Sequence, residues 1–451
     1  MASPTNRHLY PAAAIVLLAG CAQPAALHSP PPAPPLDRVP LPTDDLRALP
    51  LRTVAIDLRD GLSLDEATAI AVLANPQLRA LRAERDVGAA QVIEAGILPN
   101  PELVIGADVP AFGATAGTIT AAHAGLSWEV TSLIARNADV RASEAHARQI
   151  QLDVAWGEWQ VAIEARLQWR RLAAIEHELT TATATERDFK TVADTLERAL
   201  ETRDATAVEA SASRSALDEA TLARLAIERA HAKAQRALAR VLGIALDTRI
   251  VVQGGGELPG EAGDAVALST ALEDRRLDLA ALRMGYASEE ERVRAAVLSR
   301  IPRIAVDVGL ARDTTDVGTA GVGVTIALPI FDRAQGRVAV ARATRTQLRQ
   351  EYEARVIEAR ADLEEALADL RLAREDLAAA EATLPHLEQL VATYRAGLAQ
   401  HVVDVPSLYN ALRTLSARQL DILRRREEIG DLVTATELAA GQLVPSTRST
   451  P

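Results

Sequence analysis

The feature that most constrains this chain is a stretch from Asp332 to Leu398 that is almost free of helix-breaking residues. Only Gly336, Pro385 and Gly397 interrupt it. A helix of roughly 65 residues is about 100 Å long, because each residue adds ~1.5 Å. Ordinary globular domains are far smaller than that. The stretch therefore predicts a long helical rod or tube.

Two series of small and apolar residues recur at every seventh position along this helix. The first series is Leu363, Leu370, Leu377, Leu384, Val391 and Leu398. The second series is Tyr352, Ala359, Ala366, Ala373, Ala380, Leu387 and Tyr394. The two series are offset as the a and d positions of a coiled coil are. They predict close packing of this helix against another one.

The chain also repeats itself. Residues 76–82 match residues 277–283 at an offset of 201, and Asp204 matches Asp404 at an offset of 200. This steady offset predicts two similar halves, residues 61–243 and 265–442, joined by a glycine-rich linker at 244–264. Each half is predicted as helix, hairpin, long helix, helix, and the first helix as running from Ser63 to about Leu98.

Apolar and polar residues alternate in two segments of each half, as in strands with one apolar face. The segments are 102–109, 126–131, 303–310 and 321–330. Four strands cannot lie alone in lipid, because the edge amides would be unpaired. They are either shared between chains in a barrel, with Glu129, Arg303 and Asp307 facing a wet lumen, or packed on helices in a soluble α+β lipoprotein.

The N-terminus resembles a bacterial lipoprotein signal. Arg7 precedes the apolar stretch 12–19, and Leu18-Ala19-Gly20-Cys21 resembles the signal for lipid attachment at Cys21. Residues 1–20 would be removed, and residues 21–60 would form a proline-rich tether. The alternative is an ordinary signal peptide with a chance cysteine. Residues 443–451 are expected to form a disordered tail.

Composition argues against several function classes. Lys and Arg total 49 and Asp and Glu total 61, so the net charge of −12 disfavours binding to nucleic acid. Cys21 is the sole cysteine, and the eight histidines are scattered, so no metal site is predicted. Catalytic motifs are missing, so the chain is predicted not to be an enzyme. The expected modification is a covalent lipid on Cys21, without a cofactor.

Two motifs carry a family resemblance. Residues 328–336, Leu-Pro-Ile-Phe-Asp-Arg-Ala-Gln-Gly, and residues 97–103, Ile-Leu-Pro-Asn-Pro-Glu-Leu, resemble the TolC-like outer-membrane efflux proteins of the heavy-metal (cobalt–zinc–cadmium) branch. The resemblance implies a mainly α fold with a small β part. It also implies a homotrimer whose four strands per chain form a twelve-stranded transmembrane barrel above a helical tunnel.

The same resemblance implies a function and partners. The chain would conduct divalent heavy-metal cations passively across the periplasm and the outer membrane. Its partners would be a periplasmic membrane-fusion adaptor, an inner-membrane resistance-nodulation-division pump driven by protons, and outer-membrane lipid. Two alternatives stay open: a channel for organic drugs or other small molecules, and a periplasmic coiled-coil adaptor lipoprotein.

The resemblance also singles out residues. Pro99, Pro101, Pro302 and Pro329 would set the turn from barrel to tunnel, or are ordinary strand-end prolines.

Candidates for a narrow periplasmic aperture come from the Tyr-x-x-Gly motif and from the two helix turns. They are Tyr394, Arg395, Asp404, Arg203 and Asp204. Three Asp404 side chains would favour cations there. The alternative for Asp404 is a solvated helix cap. The second acid common in that family segment is Ser407 here, and the equivalent first-half position is Ala207.

Overall fold

The computed structural model describes residues 60–443 except 114–115, 255–257, 259, 261–264 and 401. The first half contains α1 (Leu64–Ala74), α2 (Pro76–Gly96), β1 (Glu102–Asp108), β2 (Ala121–Glu129), α3 (Ser132–Thr202) and α4 (Ala207–Leu242). The second half contains α5 (Ala265–Arg275), α6 (Leu277–Leu298), β3 (Arg303–Arg312), β4 (Gly318–Ala327), α7 (Gln335–Ala399) and α8 (Val405–Ala440). The two halves have the same order of elements.

The prediction of one helix from Ser63 to Leu98 is wrong, because two helices occupy that segment. Ser63 does cap α1, but α1 ends before Asn75. The Asn75 Oδ1 accepts hydrogen bonds from the backbone N–H of Gln77, at 2.9 Å, and of Leu78, at 3.3 Å. Pro76 lacks an N–H and suits the first helical position. A new helix therefore starts there. Helices α5 and α6 are also separate, with Arg276 in an extended conformation between them and without a side-chain cap.

The four strands form one antiparallel sheet in the order β1-β2-β3-β4. The second strand was predicted at 126–131 but runs from Ala121 to Glu129. Its first residues are alanine, histidine and glycine, which show no alternation, and pairing with β1 and β3 makes them a strand. Within the described residues, no helix is both long and apolar enough to cross a membrane.

The long helix α7 confirms the heptad prediction. It starts at Gln335 and not at Asp332, because Ala334 adopts a left-handed φ of 58° and donates its N–H to the Asp332 Oδ1 at 2.8 Å. Both heptad series lie on buried or half-buried positions, and Ala359 and Leu363 are fully buried. The apolar contacts of α7 with α8 include Leu370, Leu377, Ile422, Ile429 and Val433. Such burial of leucine and isoleucine stabilises the hairpin by about 2 kcal/mol for each side chain.

The two helical hairpins meet where α3 packs against α8, and this interface is charged along much of its length. The Arg166 Nη2 lies 3.1 Å from an oxygen of Glu437, which is fully buried, and the Arg170 Nη1 lies 3.4 Å from the other oxygen. Farther along, the Arg171 Nη2 lies 2.7 Å from the Asp431 Oδ2. In these pairs α3 supplies the cations and α8 the carboxylates.

Two carboxylates in this interface lack close ion pairs. Burial raises the pKa of Glu178 on α3, and Arg424, with its Nε 3.9 Å away, opposes the shift. Burial also raises the pKa of Glu427 on α8, and repulsion from Asp431 and Glu178 adds to the shift. Raised folded-state pKa values mean that the ionised carboxylates destabilise the folded state at neutral pH.

We expect Glu427→Gln to raise the melting temperature of the purified protein by a few degrees at pH 7. The gain should shrink as the pH falls through the raised folded-state pKa. It should vanish near pH 4, about where an unfolded glutamate protonates. Melting followed by circular dichroism between pH 4 and pH 8 measures this, with exposed Glu428→Gln on the same helix as the control. Equal increases in melting temperature for Glu427→Gln and Glu428→Gln at every pH would contradict a raised pKa of Glu427 in the folded state.

Candidate functional site

One face of the sheet is apolar except for Arg312 in its last row, and the helices do not cover it. Cross-strand register places Leu103, Leu126, Val308 and Val322 in one row. Their exposed fractions are 65%, 43%, 46% and 78%. Exposure this high argues against the alternative in which the strands pack on helices. A continuous apolar surface of this kind marks contact with a membrane or a partner.

The opposite face of the sheet carries small and polar residues. Glu102, Ser127, Asp307 and Gly323 form one row across the four strands. The Thr325 hydroxyl donates a hydrogen bond of 2.8 Å to the Asp307 Oδ2. The next row consists of Val104, Gly125, Gly309 and Gly321, so little side-chain bulk stands above this face. The sheet thus separates an apolar side from a polar one, as the alternation predicts.

The four prolines that the sequence analysis singled out lie between strands and helices. Pro99 and Pro101 lie between α2 and β1, Pro302 lies between α6 and β3, and Pro329 lies between β4 and α7.

Two side chains that the sequence did not single out hold these connections together. The Trp128 indole donates to the Pro99 carbonyl at 2.8 Å. The Thr131 hydroxyl donates to the Pro302 carbonyl at 3.2 Å and accepts the Ile304 N–H at 2.6 Å. These contacts fix the direction in which the strands leave the helices.

The far ends of the hairpins hold the remaining candidates. In the first turn, Arg203 ends α3 in the left-handed conformation, with φ 64°. The Thr202 hydroxyl donates to the Asp204 Oδ2 at 2.7 Å, and Thr206 caps α4 together with Glu209. Arg203 and Asp204 therefore shape a tight turn on the surface.

In the second turn, Asp404 caps α8. Its Oδ1 accepts the Ser407 N–H at 3.3 Å, and the side chain is exposed. The Gly397 carbonyl accepts the Val402 N–H at 2.9 Å, which folds the chain back sharply. A Cβ at Gly397 would lie 2.5 Å from the Val403 side chain, so this position needs glycine. Asp404 therefore occupies a helix-cap position, which is the alternative role that the sequence analysis gave it.

The tips of the two hairpins are joined by an apolar cluster and one ion pair. Phe189 and Ala216 of the first hairpin pack with Val391, Leu408 and Leu412 of the second. Half-buried Tyr394 and Tyr409 pack against this cluster, and the rings of Phe189 and Tyr409 have centroids 5.4 Å apart.

Beside the cluster, the Arg395 Nη2 lies 2.5 Å from the Asp188 Oδ2. Tyr394 and Arg395 of α7 thus join the two hairpins. Tyr394 packs against the apolar cluster, and Arg395 pairs with Asp188 of α3. Sequence analysis missed Asp188 and Phe189, because a contact across 207 residues leaves no local pattern.

The described part of the chain bears on metal binding but does not include the predicted lipid site. No group of three metal-ligating side chains lies close enough to hold an ion within those residues. Cys21, the signal peptide 1–20 and nearly all of the tether 21–60 lie outside the described residues, as does the tail beyond Leu443.

A comparison with known protein families finds a match in the second half of the chain. Residues 268–441 match the family described as outer membrane efflux protein. No curated protein matches the chain.

Several solved structures share its fold. CusC, whose structures were described in connection with folding and transmembrane channel formation, is 17% identical to this chain. Its TM-score is 0.70, and the match covers 84% of this chain and 92% of CusC. The outer membrane protein VceC of Vibrio cholerae is 15% identical with a TM-score of 0.70 over 84% and 96% of the two chains. The outer membrane channel MtrE of Neisseria gonorrhoeae is 15% identical with a TM-score of 0.67 over 91% and 97%.

The predicted fold class, long α-helices with four strands per chain, is confirmed by the architecture and by these likenesses. At such low identity the likeness concerns the fold alone. The chain therefore has the fold of solved outer-membrane channel proteins, and residues 268–441 match the outer membrane efflux protein family.

Proposed function

We propose that this chain is the outer-membrane channel of a tripartite efflux pump and that it conducts its substrate passively. The observation that carries the proposal is the open four-stranded sheet with one exposed apolar face. Its edge strands β1 and β4 have unpaired amides on their outer sides, which lipid does not tolerate. Three copies would close the edges into a twelve-stranded barrel, above the minimum of eight strands for bacterial barrels.

The rest of the assembly follows from the same proposal. The apolar face lies against lipid and the polar face lines the lumen, while the long helices form a tunnel through the periplasm. Lipid on Cys21 anchors each copy in the outer membrane. A periplasmic adaptor and an inner-membrane proton-driven pump supply the substrate and the energy. A periplasmic adaptor would have no use for the exposed apolar face of the sheet.

For the substrate we propose divalent heavy-metal cations. The support is the resemblance of residues 328–336 and 97–103 to the heavy-metal branch. The solved structures of similar fold are described as channels, which does not separate metals from organic compounds as substrates. Organic drugs are therefore the competing substrate class.

The ion pair at the hairpin tips should hold the periplasmic end of the channel closed. We expect Arg395→Ala to raise single-channel conductance in planar bilayers severalfold, because the contact with Asp188 between the hairpins is lost. Arg349→Ala removes an exposed pair within α7, with Glu353, and is the matched control. Unchanged conductance in Arg395→Ala would contradict a closing role for the pair.

Asp404 can be tested for charge and capping separately. Asp404→Asn keeps an N-cap acceptor for the Ser407 N–H, so stability should change by less than about 0.5 kcal/mol. If three Asp404 carboxylates line the aperture, the same variant should lower the preference for cations, measured as a reversal potential in a KCl gradient. Asp404→Ala should show the same lower preference for cations and should also lose about 1 kcal/mol of folding stability. Unchanged reversal potentials in both variants would leave Asp404 as a helix cap only.

The substrate class can be read from a resistance panel on a deletion strain and its complement. We expect sensitivity to zinc, cobalt, cadmium or nickel salts, relieved by the complementing chain, and no change with dyes, bile salts or antibiotics. Copper and silver salts complete the panel. Sensitivity confined to organic compounds would contradict the metal assignment and leave the channel function intact.

A further inference from the structure

This inference rests on the proposed channel function and concerns how the contact between the two hairpins of one chain is regulated. The first hairpin, α3 with α4, meets the second hairpin, α7 with α8, mainly where α3 packs against α8. Three different kinds of contact follow one another along this pair of helices. Their order determines which part of the interface can open.

The end of the interface nearest α1 is fixed by a buried cluster of ion pairs. Glu437 of α8 is fully buried, and its two oxygens pair with Arg166 at 3.1 Å and with Arg170 at 3.4 Å. Arg166 also pairs with Asp65 of α1, and Arg170 donates to the Gly430 carbonyl at 3.3 Å. Separating these groups would leave a buried charge without a partner, which is strongly unfavourable. This part of the interface is therefore its fixed end.

The hairpin tips form the opposite end of the interface. There the apolar cluster around Phe189 joins both hairpins, and Arg395 of α7 pairs with Asp188 of α3. Both side chains of this ion pair are about half exposed, so water can replace the pair far more easily than it can replace the buried cluster. The tip contact is therefore the end that can release.

Midway between the two ends, two carboxylates face each other across the interface. Glu178 of α3 lies about 12 Å beyond Arg170 and about 15 Å before Asp188, because each helical residue adds ~1.5 Å. Glu178 is buried, with 7% of its surface exposed, and Glu427 of α8 is half-buried. Within the described residues, no hydrogen bond reaches either carboxylate. Like charges that are partly removed from water repel strongly, so these two push α3 and α8 apart.

The other charged groups in this part of the interface do not cancel the repulsion. Arg424 of α8 is the ion-pair partner of Glu178, but its Nε lies 3.9 Å away and its side chain is 66% exposed. Asp431 of α8 adds a third negative charge near Glu427. Arg171 of α3 is the nearby cation on the opposite helix, and it is engaged by Asp431 at 2.7 Å.

The charged groups on the neighbouring helices α7 and α4 pair elsewhere. Their pairs are Arg425 with Asp376 of α7, Arg426 with Glu381 of α7, and His231 of α4 with Glu176 of α3. Glu178 and Glu427 are therefore the groups whose protonation changes the repulsion between α3 and α8.

We propose that Glu178 and Glu427 form a proton-sensitive latch that controls the separation of the hairpins at the periplasmic end of the channel. At neutral pH the charged carboxylates repel each other and favour separation of α3 from α8 on the tip side of the fixed end. Protonation removes the repulsion, so the two helices pack and the tip contact holds. Acid therefore favours the closed periplasmic end.

The direction of this pH dependence follows from linkage between protonation and closure. Burial raises the pKa of both carboxylates while the hairpins are joined, and the two groups also repel each other. Separation of the hairpins returns the carboxylates to water and lowers each pKa towards its ordinary value. Closure therefore takes up protons, and the closed fraction rises as the pH falls through the raised pKa values.

The test measures conductance of the full-length chain in planar bilayers between pH 5.5 and pH 7.5. The parent chain should conduct severalfold less at pH 5.5 than at pH 7.5. Glu178→Gln/Glu427→Gln is uncharged at every pH, so its conductance should be low at pH 7.5 and should change little with pH. Exposed Glu428→Gln on the same helix is the matched control and should keep the pH dependence of the parent. Circular dichroism confirms that each variant stays helical.

Removing the tip ion pair tests whether the latch and the tip act on the same movement. In Arg395→Ala the tip no longer opposes the repulsion, so the fall in conductance between pH 7.5 and pH 5.5 should be larger than in the parent. Adding Glu178→Gln/Glu427→Gln to Arg395→Ala should remove most of that fall. A fall of the same size with and without the two carboxylates would overturn the latch.

A reversible lock gives a second readout. The Thr185 hydroxyl of α3 and the Ser416 hydroxyl of α8 lie 3.0 Å apart, between the two carboxylates and the tip. In Thr185→Cys/Ser416→Cys, copper phenanthroline removes two electrons and two protons from the thiols and forms a disulfide between the hairpins. The oxidised variant should conduct severalfold less than the parent at pH 7.5, and dithiothreitol should restore the conductance. The parent chain under the same treatment controls for Cys21.

The outcomes separate the latch from the proposed function. Equal pH dependence in the parent and in Glu178→Gln/Glu427→Gln would overturn the latch, as would an oxidised cysteine pair that conducts like the parent at pH 7.5. A parent chain that conducts in either case keeps the proposed channel function. A chain that does not conduct at any pH, even as Arg395→Ala, overturns the channel function together with the latch.

Discussion

The structure depends on one constraint, which is that every backbone amide within lipid needs a hydrogen-bond partner. The sheet satisfies this internally between β1 and β4 but not at its two edges. A chain with four strands cannot satisfy the edges alone, so a membrane role requires other copies. In the proposed trimer, the helical hairpins of the three copies also need contacts with one another in water. In that proposed assembly, the barrel strands and the helical contacts join the same copies.

The internal duplication has left two halves that differ in the charges on their long helices. A duplicated chain starts with identical halves, which could join in any order. Here α3 carries Arg166, Arg170 and Arg171, whereas the equivalent positions of α7 are Glu364, Ala368 and Asp369. The halves have thus diverged in charge, whereas Leu172 and Leu370 keep a buried leucine in both long helices. Complementary charges contribute specificity more than affinity at such surfaces, and the apolar heptads supply the stability.

Much of the fold could be predicted from the sequence, because its elements leave periodic signals. The alternation in 303–310 and 321–330 corresponds to β3 and β4, and the heptads on α7 are buried. The break at Asn75 was missed, because Pro76 can begin a helix as well as end one. The tip contact of Arg395 with Asp188 could not be predicted, because it joins helices far apart in sequence. The candidate Asp404 was found only through the family resemblance, whereas Tyr394 also belongs to the second heptad series and packs against the tip cluster.

The distribution of contacts indicates which parts of the chain can move against one another. Helices α7 and α8 share a large apolar interface, so the second hairpin behaves as a rigid unit. Between the hairpins, α3 and α8 meet through ion pairs and the repelling carboxylates Glu178 and Glu427. Polar interfaces exchange partners more readily than packed cores, which have few alternative arrangements. The apolar cluster around Phe189 and the pair of Arg395 with Asp188 close this interface at its tip. In the proposed channel, opening at this end would require breaking the tip contacts while the hairpins themselves remain folded.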